Sequence, residues 1–337
     1  MNSVANRTIH AGMDSIMCAM MNAIQWHLRR GAVTREQLER YLDDCSKLDR
    51  SSYYALPCES GESTDSKWHR QSNQLTWKSP RQGPHPENNT AKAVIYETDK
   101  IRDAPSLILL HSLMSASAIG YRRIAERFNA RGWRVIFPHL PYHYSRRPRG
   151  HANGSLTITS NLIGNAESLR QSVVELRQLI GWSRRNGSER VAILGTSYGA
   201  WVGAITLSLE QTDFSILLQP VTDVGHATFA SPASTVMASL LRKNGILREH
   251  LDRHAHLSSP LHARPLTAPD RITIIAGTYD RLSPPDTLKT LCKNWGGARY
   301  REVAQGHFGY LAMGAALEES ELFLDKMSPS DRSEALR

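Results

Sequence analysis

The sequence is short of cysteine, of aromatic residues set among basic ones, and of long apolar runs, and each shortage excludes something. Its four cysteines, Cys18, Cys45, Cys58 and Cys292, have neither paired metal-ligand spacing nor the density of a disulfide framework, which fits small buried hydrophobes in a reducing cytoplasm. No apolar run reaches transmembrane length. The most apolar N-terminal piece, Ile16 to Ile24, follows Asp14, has only a thin basic flank and precedes no small-residue cleavage site, so no secretory signal is expected. Asn-x-Ser/Thr triplets at Asn6, Asn88, Asn153 and Asn186 carry no weight outside a secreted eukaryotic protein. Lys and Arg outnumber Asp and Glu by 41 to 32, a net charge of +9. The excess is diffuse and forms no basic tract with interleaved aromatics, which argues against nucleic acid as a partner.

What is present is a chain of 337 residues, 40 % hydrophobic, long enough for one large domain with an appendage. Met13, Ile16, Met17, Met20 and Ile24 recur at helical spacing, and Thr34 opens a second helix. The methionine stripe reads as a packing face rather than a membrane anchor. These helices, with a polar linker in which Leu75-Thr76-Trp77 suggests a short strand, make residues 1–90 an N-terminal appendage. From Ala93 strand-like and helix-like segments alternate, the signature of a mainly parallel, doubly wound α/β sheet. Strands are expected at Ala93 to Glu97, Ser106 to Leu110, Trp133 to Phe137, Val191 to Leu194, Phe214 to Leu218, Ile272 to Ala276 and Tyr300 to Val303. Residues 223–265 break the alternation with helical, histidine-rich sequence and are expected to form a helical lid within a domain of residues 91–330. Residues 331–337 are a tail.

One junction carries chemistry. Between the strand Val191-Ala192-Ile193-Leu194 and the small, apolar helix that follows lies Gly195-Thr196-Ser197-Tyr198-Gly199. A turn this tight needs small flanking residues and presents the serine at a helix N-terminus, where backbone N–H groups stabilise developing negative charge. A serine hydroxyl needs a histidine to take its proton and a carboxylate to orient that histidine. Asp280, in the turn after the strand ending at Ala276, and His307, after the strand ending at Val303, both sit at carboxyl ends of strands, where open α/β sheets bind ligands.

With the order Ser197, Asp280, His307, the chain from about Ala93 to Met327 resembles the α/β-hydrolase superfamily of serine esterases and lipases. The resemblance implies Ser197 as nucleophile, His307 as base and Asp280 as acid, with Asp223 as the alternative acid, since some relatives carry it one strand earlier. It also implies an oxyanion hole made by the N–H groups of Tyr198 and Leu113. Ser112 stands where the family's His-Gly-x segment has glycine, so the path of that loop departs from the pattern. His111 is expected to brace it.

The segment Tyr142 to Arg149 places Tyr142, Arg146 and Arg147 at a carboxyl edge as candidates to bind an anionic substrate group, against the alternative of a solvated basic loop. His226, His250, His254, His256 and His262 lack zinc-ligand spacing. The expected activity is cleavage of a carboxylic ester, thioester or lactone through an acyl-enzyme, without metal or cofactor, on a small acyl substrate that is anionic or lipid-like. An acyltransferase with the same triad and a non-catalytic binding scaffold of the same fold are the alternatives.

Overall fold

The computed structural model describes residues 3–57, 67–98, 104–115 and 117–326; Cys58, most of the polar linker and the tail lie outside them. In chain order the elements are α1 (Ser3–His27), α2 (Arg35–Cys45), α3 (Arg50–Tyr53), β1 (His69–Gln71), β2 (Gln74–Lys78), β3 (Thr90–Tyr96), β4 (Ser106–Leu110), α4 (Ile119–Ala130), β5 (Arg134–His139), α5 (Leu162–Arg185), β6 (Val191–Thr196), α6 (Tyr198–Thr206), β7 (Phe214–Leu218), α7 (Val224–Phe229), α8 (Thr235–Lys243), α9 (Arg248–Ser258), β8 (Ile272–Gly277), α10 (Pro285–Asn294), β9 (Arg299–Val303) and α11 (Leu311–Lys326).

The strands make one sheet in the order β1-β2-β3-β5-β4-β6-β7-β8-β9. The pairs from β1 to β5 along this order are antiparallel and the rest are parallel. Strands β4, β7 and β8 are buried along their whole length and β6 up to Gly195, and they are mostly apolar because both faces are covered. Successive side chains go to opposite faces: Ile108, Leu110 and Ile193 join a core with α5, α6 and α10, while Leu107, Leu109, Ala192 and Leu194 join one with α4 and α11.

The chain runs from β4 to β5 on one side of β4 and returns to β6 on the other. This reversal opens a crevice at the carboxyl ends of β4 and β6. The two loops that flank the crevice are the Ser197 turn and the segment after Leu110.

The expected appendage differs at its end. β2 pairs with β3 from Gln74 opposite Val94 to Lys78 opposite Thr90, so the sheet starts at His69 and not near residue 91. β1 escaped the sequence reading because all three of its residues are exposed and polar.

The helical insertion is present as α7, α8 and α9, and it does not stand alone. Val33, Leu38 and Leu42 pack with Met237, Leu241 and Ile246 in a third apolar cluster, so the N-terminal helices and the insertion form one cap. Thr34 opens α2 with a capping box: its hydroxyl accepts from Gln37 N–H while the Gln37 side-chain Oε1 accepts from Thr34 N–H. Among the described residues no helix is long and apolar enough to cross a membrane.

Candidate active site

Ser197 stands between β6 and α6 at φ 49° and ψ −112°, a conformation that strains any residue with a side chain. Its neighbours make the turn feasible. A Cβ at Gly195 would lie 2.9 Å from the Ala200 backbone, and one at Gly199 would lie 2.5 Å from the His111 carbonyl oxygen. The turn is held where Ser197 N–H donates to Leu218 O at 2.8 Å and its carbonyl accepts from Trp201 N–H at 2.9 Å.

Ser197 Oγ lies 2.8 Å from His307 Nε2, and His307 Nδ1 lies 2.7 Å from Asp280 Oδ2. A carboxylate only accepts, so Nδ1 carries the proton and Nε2 faces the serine as acceptor. Asp280 is itself fixed. Its Oδ1 accepts from the Leu282 and Ser283 N–H groups at 2.8 and 2.9 Å, and its Oδ2 accepts from the Gln219 amide at 2.6 Å. Burial alone lowers the His307 pKa, but the charge and hydrogen bond of Asp280, with the more distant charge of Asp14, turn the net shift upward.

Asp223 is engaged elsewhere. Its Oδ1 caps α7 through His226 N–H and its Oδ2 pairs with Arg248, both at 2.7 Å. The imidazole of His307 faces Asp280.

The loop after β4 is set by two buried histidines. His143 Nδ1 lies 2.8 Å from Pro141 O, so it donates there and Nε2 accepts from Met114 N–H at 3.1 Å. His111 Nδ1 donates to Ser112 O and its Nε2 accepts from Leu140 N–H at 3.1 Å. Both acceptor roles require neutral rings. Burial supplies that condition, pushing His143 down to about 4 and His111 well below 6.5. Ser112, in place of glycine, gives its N–H to the Tyr121 hydroxyl at 3.0 Å, and the turn is taken up at Met114, with φ 54°. Leu113 and Tyr198 both border the crevice beside Ser197. Tyr198 N–H is the first of α6, a position that α-helices leave without an intrahelical acceptor.

Ser197 and His307 open into a cavity of about 630 Å³. Its walls come from α1 (Met17, Met20, Met21), α2 (Leu38, Leu42), α5 (Leu169), α6 (Trp201) and the insertion (Val224, Met237, Leu251), and no Lys, Arg, Asp or Glu is among its described lining residues. Its polar lining includes Asn165, Ser234 and His254. His254 is buried, and burial holds its pKa down at about 4.

The basic loop is corrected by the structure. Arg146 is fully buried and forms a bidentate pair with Glu175 of α5, with contacts at 2.6 and 2.9 Å. It also donates to the carbonyls of His139 and Asn88. Its two terminal nitrogens are committed in this way and its Nε is buried, so the guanidinium does not reach a substrate. Tyr142 is half-buried against His85 and Arg147 is exposed, and none of the three lines the cavity.

Sequence reasoning missed Gln219, His143, Tyr121 and Asp14 at this site. Gln219 follows β7 with φ 49° and bridges Asp280 to the Gly306 carbonyl. Its only sequence signal was its place at a strand's carboxyl end.

Comparison with protein-family models and with curated proteins gives no match. Solved structures do resemble the chain. Acetyl xylan esterase 1 from Thermoanaerobacterium sp. JW/SL YS485 matches over 90 % of this chain and 98 % of its own, at 15 % identity and TM-score 0.54. Native esterase Est2 from Thermogutta terrifontis matches over 74 % of this chain and 94 % of its own, at 19 % identity and TM-score 0.50. At these identities the likeness is one of fold. The chain has the α/β-hydrolase fold, with its N-terminal helices and its insertion joined as a cap over the crevice.

Proposed function

We propose that this protein is a serine hydrolase that cleaves carboxylic esters of uncharged, apolar acyl groups through an acyl-enzyme on Ser197. The observation that carries this reading is the unbroken relay Ser197 Oγ, His307 Nε2, His307 Nδ1, Asp280 Oδ2, opening into one uncharged cavity. Ser197 Oγ attacks the carbonyl carbon while its proton passes to His307 Nε2. The carbonyl π pair moves to oxygen, where the Tyr198 and Leu113 N–H groups are offered as donors. On collapse the alkoxide leaves with the proton from His307. Water then attacks the acyl-enzyme with His307 again as base, releasing the acid and regenerating the serine. Thioesters and lactones fit the same steps.

Both structural neighbours named above are esterases, in keeping with this chemistry. An anionic substrate is less well served, because the described lining residues include no Lys or Arg to meet it. The test is labelling of the full chain with a fluorophosphonate, together with turnover of p-nitrophenyl esters. The expected result is one phosphonyl adduct on Ser197 and turnover, both abolished in Ser197→Ala. An unlabelled, inactive wild type, or a fully active Ser197→Ala, would overturn the proposal.

A further inference from the structure

Asp14 belongs to none of the elements that carry the triad, yet its carboxylate sits on the histidine loop. Oδ2 accepts from His307 N–H and Oδ1 from Phe308 N–H, each at 3.0 Å. Hydrogen bonds to an ionised acceptor are roughly twice as strong as neutral ones. The fit is shaped from the other side too, for a Cβ at Gly306 would lie 2.2 Å from Asp14 Oδ2. Gly306 is not among the glycines with positive φ, so what its missing side chain provides is room for the carboxylate.

The helix bearing Asp14 is pinned at a second point. Asn22 Nδ2 donates to Pro232 O at 2.8 Å, and its Oδ1 accepts from the Thr235 hydroxyl and Val236 N–H, both at 2.9 Å. Met17, Met20 and Met21, which line the cavity, lie between the two anchors. The helix thus touches the histidine loop, the acyl cavity and the insertion at once.

We infer that Asp14 is a positioning residue for His307, so that the catalytic site is complete only when the N-terminal helix is seated. This rests on the hydrolase reading above. Asp280 fixes the tautomer and tilt of the ring, but the position of Nε2 also depends on where the backbone of residues 306–308 lies. Gln219 holds that backbone through the Gly306 carbonyl, and Asp14 holds it through the next two N–H groups. Asp14 does not line the cavity, so its loss acts on the reaction and not on substrate affinity.

The electrostatics supply a readout that a purely structural cap would not move. The charged groups that act on His307 are Asp280 after β8 and Asp14 on α1; Cys18, also on α1, feels both carboxylates and Arg281. Asp14 raises the His307 pKa by its charge, so neutralising it lowers that value.

The test uses the full chain as wild type, Asp14→Asn, Asp14→Ala, Gly306→Ala and the Asp14→Ala/Gly306→Ala double variant, with Ser15→Ala on the exposed side of α1 as control. The His307 imidazole is titrated by NMR, its signal assigned with His307→Gln, and kcat and KM are measured on p-nitrophenyl butyrate. Asp14→Asn is expected to lower the titration midpoint and to cut kcat about tenfold with KM little changed, within the roughly 10²-fold that a misplacement on the order of 1 Å costs. Gly306→Ala is expected to be as damaging as Asp14→Ala in the wild-type background and nearly silent once Asp14 is gone. An Asp14→Asn protein with wild-type midpoint and kcat, or additive effects of the Asp14 and Gly306 changes, would overturn the inference while leaving the hydrolase reading intact. A wild type that neither turns over nor labels would defeat the hydrolase reading itself, whatever the midpoint does.

Discussion

Asp280 and Asp223 follow neighbouring strands, and both are acidic residues within reach of the crevice, but only one meets an imidazole. The distinction sets a prediction at the scale of the residue. Asp280→Asn replaces the acceptor of the Nδ1 proton with an amide that favours the wrong tautomer, and kcat should fall by about 10³- to 10⁴-fold. Asp223→Asn touches a helix cap and an exposed pair with Arg248 and should leave kcat within about threefold, since partly exposed ion pairs contribute on the order of 1 kcal/mol or less. The pH profile carries the sign. His307 must be neutral to accept a proton, and its pKa is raised above 6.5, so the acid limb of kcat/KM in wild type should lie above pH 6.5. Asp280→Asn removes both effects of its carboxylate that raise the value and leaves burial, which lowers it, so the residual activity should have its acid limb at lower pH. Equal losses in the two variants, or an acid limb that stays in place in Asp280→Asn, would reject the assignment. Ser197 and Asp280 were legible in the sequence because each follows an apolar strand within a few residues, and His307 because it follows a short strand as Gly306-His307 just ahead of the last helix. Asp14 was not, because its meaning is a contact with residues 293 and 294 positions away, and nothing in its local pattern announces that.

Among the elements, the parallel strands were the most legible part, since two covered faces impose apolar runs that no exposed segment tolerates. The loop after β5 was misread for a related reason. Its arginines look alike in sequence, and burial alone separates Arg146 from Arg147. Arg146 ties this loop to α5, and the same loop carries His143, whose Nε2 holds Met114 N–H. Glu175→Gln should therefore unfold at markedly lower denaturant, with a loss of about 3–5 kcal/mol for a buried charge left without its partner. Arg146→Met combined with Glu175→Leu should recover most of that loss, because an apolar pair of similar volume carries no desolvation penalty. Urea titrations of the two variants decide the matter, and a Glu175→Gln protein as stable as wild type would mean that the pair anchors nothing.

For the whole molecule, the cap joins residues from the beginning of the chain to an insertion some two hundred residues later, and only the insertion was legible as a lid. The N-terminal helices looked like an appendage because their apolar stripe has the same spacing whether it packs on a core or walls a cavity. In the structure Met17 and Met20 of that stripe, with Met21 beside them, line the cavity while Ile16 is exposed. This assembly makes substrate length a property of the cap. Burial in an uncharged cavity stabilises by about 0.8 kcal/mol per methylene, which is a factor of roughly four. Along a series of straight-chain p-nitrophenyl esters, kcat/KM should rise by about that factor per methylene until the cavity of about 630 Å³ is full, then level off or fall. Met21→Trp, which enlarges a side chain on the α1 wall, should move the optimum to shorter chains without altering the acid limb of the pH profile. A profile that is flat or falls from acetate onward in wild type would show that the cavity does not take the acyl group. An optimum unchanged in Met21→Trp would show that α1 does not bound it.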